Sequence, residues 1–107
     1  MFQSLLAKFT GGRSGELCWQ LIVQGAQVID VRSPEEFAAG HLPQAINVPL
    51  PVLEQWLAQV ENRTQTFVLY CGAGIRAQKG CDIFKAKGFE CVINGGSLND
   101  MLSSQPK

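Results

Sequence analysis

The sequence contains little that would indicate a highly charged partner or a metal ion. Nine basic residues balance nine acidic ones over 107 residues, and there is a single histidine. Nucleic acids and anionic membranes select for clustered Lys and Arg, so this balance argues against either as a partner. The four cysteines form no CxxC pair and, with one histidine, lack the ligand spacing of a zinc site. We therefore expect no metal and no cofactor.

Long apolar runs are also missing. The opening residues, MFQSLLAKFTGG, hold a short apolar patch with a lysine inside it, whereas a secretory signal needs an uninterrupted apolar run of roughly 7 to 15 residues. No stretch approaches the roughly 20 apolar residues of a membrane-spanning helix. The expectation is a cytoplasmic protein with reduced thiols.

Strand and helix patterns alternate along the chain. Apolar segments predict strands at residues 27–31, 45–49, 66–70 and 90–94. Helical spacing predicts helices over 14–24, 33–40, 53–60 and 75–88, and a short last helix after a turn at Gly95 and Gly96. This alternation predicts one α/β domain whose parallel sheet has helices on both faces.

Individual residues mark the ends of these elements. Ser14 is expected to cap the first helix, and Ser33, Pro34 and Glu36 have the spacing of a capping box. In the last helix, the apolar residues expected to pack on the core are Leu98, Met101 and Leu102.

The segment YCGAGIRAQKG places Cys71 directly after a strand and before a helix. Gly72 and Gly74 allow backbone conformations closed to other residues, so that consecutive N–H groups can point toward one spot. The helix adds the positive end of its dipole, and Arg76 adds a full charge. A thiolate at Cys71 would be stabilised by these groups together, which predicts a nucleophile at neutral pH.

Other residues of chemical interest have structural interpretations. Cys18, Cys81 and Cys91 fall on apolar helix or strand positions, which is typical of core thiols. Asp30 and Arg32 are expected to brace the neighbouring loop through an ion pair. His41, in a turn before Leu42, is interpreted as structural rather than as a general base.

Three segments, VIDVRSPEEFAAGHLPQAINVPL, VLYCGAGIRA and INGGSLNDM, closely resemble the rhodanese domain, in this order and at the family's usual separations. The resemblance covers roughly residues 14–102. Residues 30–49 match the family's Asp-x-Arg and His-Leu-Pro-x-Ala-x-Asn pattern, and Cys71 falls at its catalytic cysteine. The resemblance implies an extension at 1–13, a rhodanese domain at 14–103 with about five parallel strands, and a tail at 104–107.

The resemblance implies a thiosulfate sulfurtransferase. Sulfane sulfur would pass from thiosulfate, or a related persulfide or polysulfide, to cyanide or a thiol through a persulfide on Cys71. The expected substrate contacts are Gly72, Ala73, Gly74, Ile75 and Arg76. The partners would be a small donor anion and a thiol or protein acceptor, and the protein is expected to be a monomer.

The sequence departs from the family pattern in places. Gln44 stands where glycine is usual, and Ser97 and Leu98 follow the glycines where an aromatic is common. The loop CGAGIRA resembles that of mercaptopyruvate sulfurtransferases, but with Arg76 in place of threonine. The identity of the donor is therefore open.

Three alternatives compete with this interpretation. A cysteine phosphatase has Cys-x5-Arg, whereas only residues 72–75 separate Cys71 from Arg76, so the loop is one residue shorter. A non-catalytic rhodanese-like module usually lacks the cysteine. A thiol redox sensor, with a disulfide from Cys71 to Cys81 or Cys91, is left open by the sequence.

Overall fold

The computed structural model describes residues 15–106. Ser14, expected to cap the first helix, and the extension at 1–13 lie outside the described residues. The strands are β1 Gln27–Asp30, β2 Ala45–Asn47, β3 Phe67–Cys71 and β4 Val92–Ser97. The α-helices are α1 Gly15–Val23, α2 Pro34–Ala39, α3 Leu53–Leu57, α4 Ile75–Ala86 and α5 Leu98–Ser103, with a 3₁₀ turn at Leu50–Val52.

The described residues form a four-stranded sheet with the order β2-β1-β3-β4, and all neighbouring strands are parallel. The predicted α/β class and the parallel sheet are confirmed, whereas about five strands had been expected. Each predicted strand segment overlaps an observed one. No helix in the described part of the chain is long and apolar enough to cross a membrane.

Strand β3 is the centre of the core, and all five of its residues are buried. Phe67, Leu69 and Cys71 pack in one apolar cluster with residues of α3 and α4. Val68 and Tyr70 pack in a second cluster with residues of α1 and α5. Because alternate residues of a strand point to opposite faces, the two clusters cover both sides of the sheet, and helices on both faces are confirmed.

Gly95 and Gly96 lie within β4 rather than in the turn that the sequence predicted. Leu69 is opposite Asn94 and Cys71 is opposite Ser97, so β4 has one extra residue and the register shifts. Gly96 has φ +89°, and a Cβ on Gly95 would lie 3.2 Å from the Leu69 carbonyl oxygen. The two glycines therefore let β4 stay paired with β3 through a bulge, a device common beside active sites.

The last helix packs by a narrower face than predicted. Met101 is fully buried and Leu98 packs against the same cluster, but Leu102 is 47% exposed. Helix α5 has six residues, fewer than two turns, and Leu102 lies at the edge of the face that contacts the core.

Helix α4 lies unusually close to the sheet at Gly80. A Cβ added to Gly80 would lie 2.7 Å from Leu69 Cδ2 and 3.3 Å from Leu53 Cδ2. The absence of a side chain lets α4 approach β3, which holds the first turn of the helix against the end of the strand.

We expect Gly80→Val to destabilise the protein by about 1–3 kcal/mol, because its side chain would enter a packed core. The measurement is urea unfolding, with Lys79→Val as the control. Lys79 is exposed in the same helix, so its replacement tests helix propensity alone and should change stability by less than about 1 kcal/mol. Equal effects of the two substitutions would contradict the close packing at Gly80.

Candidate active site

Cys71 is the last residue of β3, and its side chain points into the start of α4. The residue is only 1% exposed. The N–H of Gly74 donates to Cys71 Sγ at 2.9 Å, and the N–H of Ala77 donates to it at 3.3 Å. The sulfur therefore lies within the backbone of its own loop and accepts two N–H hydrogen bonds from it.

Gly74 lets the loop fold back so that its N–H groups reach Cys71 Sγ. It precedes α4 as the N-cap residue with φ +90° and ψ −15°, in the left-handed region, which costs other residues roughly 1–2 kcal/mol. Gly72 does not share this conformation, so the expectation that both glycines supply unusual backbone angles holds only for Gly74. At Gly72 a Cβ would lie 3.0 Å from Arg76 Nη2, the end of a flexible side chain that needs to move by only a few tenths of an ångström.

Arg76 is engaged by a carboxylate. Its Nη1 donates to Glu36 Oε1 at 2.7 Å, and its Nη2 donates to Glu36 Oε2 at 3.1 Å. The sequence predicted an anion contact for Arg76, and that contact stays a prediction. In the structure both terminal nitrogens of the guanidinium donate to Glu36.

Glu36 reaches Arg76 because α2 begins at the same edge of the sheet as Cys71. The capping box predicted at Ser33 is confirmed, with Ser33 N–H donating to Glu36 Oε1 at 3.1 Å. The Arg76 guanidinium, helped by the Ser33 N–H, lowers the pKa of the Glu36 carboxyl to about 2. Glu36 was predicted only as a capping residue, and its contact with the loop was missed.

Asn94 is a second residue of the site that sequence reasoning missed. Its Nδ2 donates to the Gly74 carbonyl at 3.0 Å, and its Oδ1 accepts the Gly96 N–H at 2.8 Å. The asparagine thus joins the bulged part of β4 to the N-cap of α4. The only local signal was its position at the end of a predicted strand, beside the glycine pair.

Asp30 and Arg32 form a buried ion pair, with 2.7 Å between Arg32 Nη2 and Asp30 Oδ2. Arg32 Nη2 also donates to the Gly40 carbonyl at 2.7 Å. Asn47 Nδ2 donates to the carbonyls of Asp30 and Arg32, each at 3.0 Å. These contacts fix the chain between β1 and the end of α2, which carries Glu36. Support of the Cys71 loop itself stays a prediction.

His41 lies outside this constellation. Its ring stacks on Phe37 with centroids 3.6 Å apart, and its Nδ1 lies 2.8 Å from the Phe37 carbonyl oxygen. These contacts agree with a structural role.

The other three cysteines are buried free thiols, as predicted. Burial raises the pKa of Cys18 to about 11 and that of Cys81 to about 12. Cys91 lies at the far end of β3, because its carbonyl accepts the Phe67 N–H at 2.8 Å. Four residue-to-residue steps of roughly 3.3 Å each separate Phe67 from Cys71 along β3, which is far more than a disulfide spans.

Comparisons with known proteins agree on one family. The family described as Rhodanese-like domain matches residues 14–102. The thiosulfate sulfurtransferase PspE of Escherichia coli (strain K12) is 34% identical over 80 residues, which are 74% of this chain and 77% of PspE.

Solved structures give the same result. A rhodanese with anions from E. coli is 34% identical, with a TM-score of 0.67 over 71% of this chain and 91% of that one. The human single-domain sulfurtransferase TSTD1 is 27% identical, with a TM-score of 0.71 over 81% of this chain and 90% of that one.

Because folding lowers the pKa of Glu36, the contribution of its ion pair with Arg76 to the stability of the protein depends on pH. The Glu36 pKa falls from 4.5 to about 2 on folding, so its contribution is full above pH 4.5 and is lost as the pH falls toward 2. At neutral pH we expect about 0.5 kcal/mol, because the Arg76 and Glu36 side chains are 40% and 39% exposed.

The measurement is the difference in Tm between the parent and Glu36→Gln from pH 7 to pH 3. Glutamine can still complete a capping box, so the substitution removes the charge and leaves the cap. The difference should be constant above pH 5 and shrink below pH 4, with Glu35→Gln as the control. A difference that persists unchanged at pH 3 would contradict the ion pair.

Proposed function

The chain belongs to the rhodanese-like domain family, and from this membership we propose that it is a sulfurtransferase that carries sulfane sulfur as a persulfide on Cys71. The observation that carries the proposal is the contact of Cys71 Sγ with the N–H groups of Gly74 and Ala77. The donor would be thiosulfate or a related persulfide or polysulfide, and the acceptor cyanide or a thiol.

In the first half of the cycle, the Cys71 thiolate attacks the outer sulfur of the donor. With thiosulfate, a bond forms between Sγ and the outer sulfur, the S–S bond of the donor breaks, and sulfite leaves with the electron pair. The product is the Cys71 persulfide anion. The N–H groups of Gly74 and Ala77 hold Sγ at the end of β3 for the attack.

The outer sulfur of the persulfide would be held by the rest of the loop. Ile75 and Arg76 are the first two residues of α4, and N–H groups at these positions have no carbonyl partner within the helix. With those of Gly72 and Ala73, at the exposed tip of the loop, they are the donors available to a second negative sulfur. Such donors also stabilise the charge that moves during transfer.

In the second half, an acceptor nucleophile attacks the outer sulfur, and Cys71 leaves as the thiolate. Cyanide would give thiocyanate, and a thiolate would give a new persulfide. The acceptor should be external, because Cys81 is a buried thiol of raised pKa and Cys91 lies at the far end of β3. A monomer in the cytoplasm, where small and protein thiols are kept reduced, is the setting that we propose.

The structure weighs against phosphatase chemistry at the same loop. In that chemistry an arginine binds the phosphate oxygens, but here both terminal nitrogens of Arg76 are bonded to Glu36. The four residues between Cys71 and Arg76 also give a smaller cradle. We expect no turnover of p-nitrophenyl phosphate.

The test is thiocyanate formation from thiosulfate and cyanide. Cys71→Ser should lower kcat/KM by at least about a thousandfold, because the covalent intermediate cannot form. Cys81→Ala, which removes a buried thiol outside the loop, should keep most of the activity. An active Cys71→Ser protein, or a parent inactive with thiosulfate and with organic persulfides, would refute the proposed function.

A further inference from the structure

The ion pair between Glu36 and Arg76 lies beside Gly72. We call this exposed part of the Cys71 loop, residues 72–73, its mouth. A Cβ placed on Gly72, the residue after the cysteine, would lie 3.0 Å from Arg76 Nη2 and 3.8 Å from Glu36 Oε2. Both charged groups therefore lie close to the backbone of the residue that follows Cys71. About two-fifths of each side chain is exposed, so an approaching ligand meets the carboxylate together with the guanidinium.

The net charge of these two paired side chains is close to zero. A guanidinium alone would attract anions and favour a doubly charged donor over a singly charged one. With a carboxylate bonded to it through both oxygens, the two fields largely cancel at ligand distance. What remains favourable to an anion is the set of loop N–H groups, which act at short range.

An exposed apolar side chain immediately precedes Arg76 in the chain. Ile75, the first residue of α4, is 68% exposed, one of the most exposed large apolar side chains among the described residues. It is adjacent in the chain to Arg76 and follows the loop that encloses Cys71 Sγ. An organic substituent on a donor could contact this side chain, whereas the oxygens of a small inorganic anion would gain little from it.

We propose that Glu36 is a specificity-determining residue that shifts the preference of the site from dianionic donors to donors whose sulfane sulfur is bonded to an uncharged organic group. This inference rests on the proposed function for its biological meaning. Transfer from such a donor follows the same balance: Sγ bonds to the sulfane sulfur, the S–S bond breaks, and the organic leaving group departs with the electron pair.

The charge of Glu36 can be removed without removing its capping role. Glutamine at this position can accept the Ser33 N–H as the carboxylate does. Glu35 provides a matched control, because it precedes Glu36 in α2, is exposed, and forms none of the ion pairs found in the described residues. Glu35→Gln changes the net charge of the protein by the same amount.

The first experiment measures charge selectivity without sulfur transfer. Cys71 is alkylated with iodoacetate, an anion, and with iodoacetamide, its neutral analogue, and the ratio of the two rate constants is taken. The ratio cancels changes in the reactivity of the thiol itself. Peptide mass spectrometry confirms that Cys71 is the residue modified.

Glu36→Gln should raise the iodoacetate to iodoacetamide ratio about three- to tenfold at low salt, because the released guanidinium attracts the anion. The increase should largely vanish in 1 M salt, where the Debye length is about 3 Å. The double variant Glu36→Gln with Arg76→Gln should return to the parent ratio, and Glu35→Gln should leave it unchanged. An unchanged ratio in Glu36→Gln, or an increase that survives in the double variant, would overturn the proposal.

The second experiment compares two donors that differ by one charge. Methanethiosulfonate is thiosulfate with a methyl group in place of one oxygen. Glu36→Gln should raise the ratio of kcat/KM for thiosulfate to that for methanethiosulfonate by a similar three- to tenfold factor. Equal losses with both donors would mean that Glu36 serves only the fold, and would refute the proposal.

The two experiments distinguish this proposal from the proposed function. If the parent turns over neither donor but the alkylation ratio responds as expected, the sulfurtransferase assignment fails and the charge selectivity stands. If both donors are used and neither ratio changes in Glu36→Gln, the sulfurtransferase assignment stands and the role of Glu36 is wrong.

Discussion

The junction between β3 and α4 is the constraint on which the rest of the site depends. A strand buried on both faces ends at Cys71, and the chain must turn at once into a helix that lies close to that strand through Gly80. The left-handed Gly74 makes the turn possible, and it brings two backbone N–H groups onto the sulfur. The position of the Cys71 sulfur therefore follows from packing and backbone geometry.

The parallel sheet places other residues of the site around this junction. Strands β1 and β4 flank β3, so residues beyond their carboxyl ends lie beside the Cys71 loop. Helix α2, which follows β1, places Glu36 in an ion pair with Arg76. The bulged strand β4 places Asn94 where its Nδ2 donates to the carbonyl of Gly74. The contact of Asn94 fixes the position of the loop, and the ion pair of Glu36 places a carboxylate beside the guanidinium of Arg76.

Local patterns in the sequence predicted the parts of this site that are themselves local. Cys71 after an apolar strand, the glycine before the helix and the capping box at Ser33 each depend on neighbours within a few residues. The partner of Arg76 could not be predicted in this way, because Glu36 is distant in the sequence and reaches it only through the parallel pairing of β1 with β3. Gly95 and Gly96 were predicted as a turn for a related reason: only the pairing with β3 shows that the chain continues as a bulged strand.

The most direct test of the central claim is the mass of the intact protein after incubation with a sulfur donor under non-reducing conditions. A sulfur carrier should gain about 32 Da, one sulfur atom, as the covalent intermediate of nucleophilic catalysis. The gain should locate to the peptide that contains Cys71 and disappear on addition of cyanide, with release of one thiocyanate per chain. A protein that gains no sulfur from thiosulfate, methanethiosulfonate or an organic persulfide, or that gains it on Cys18, Cys81 or Cys91, would contradict the account.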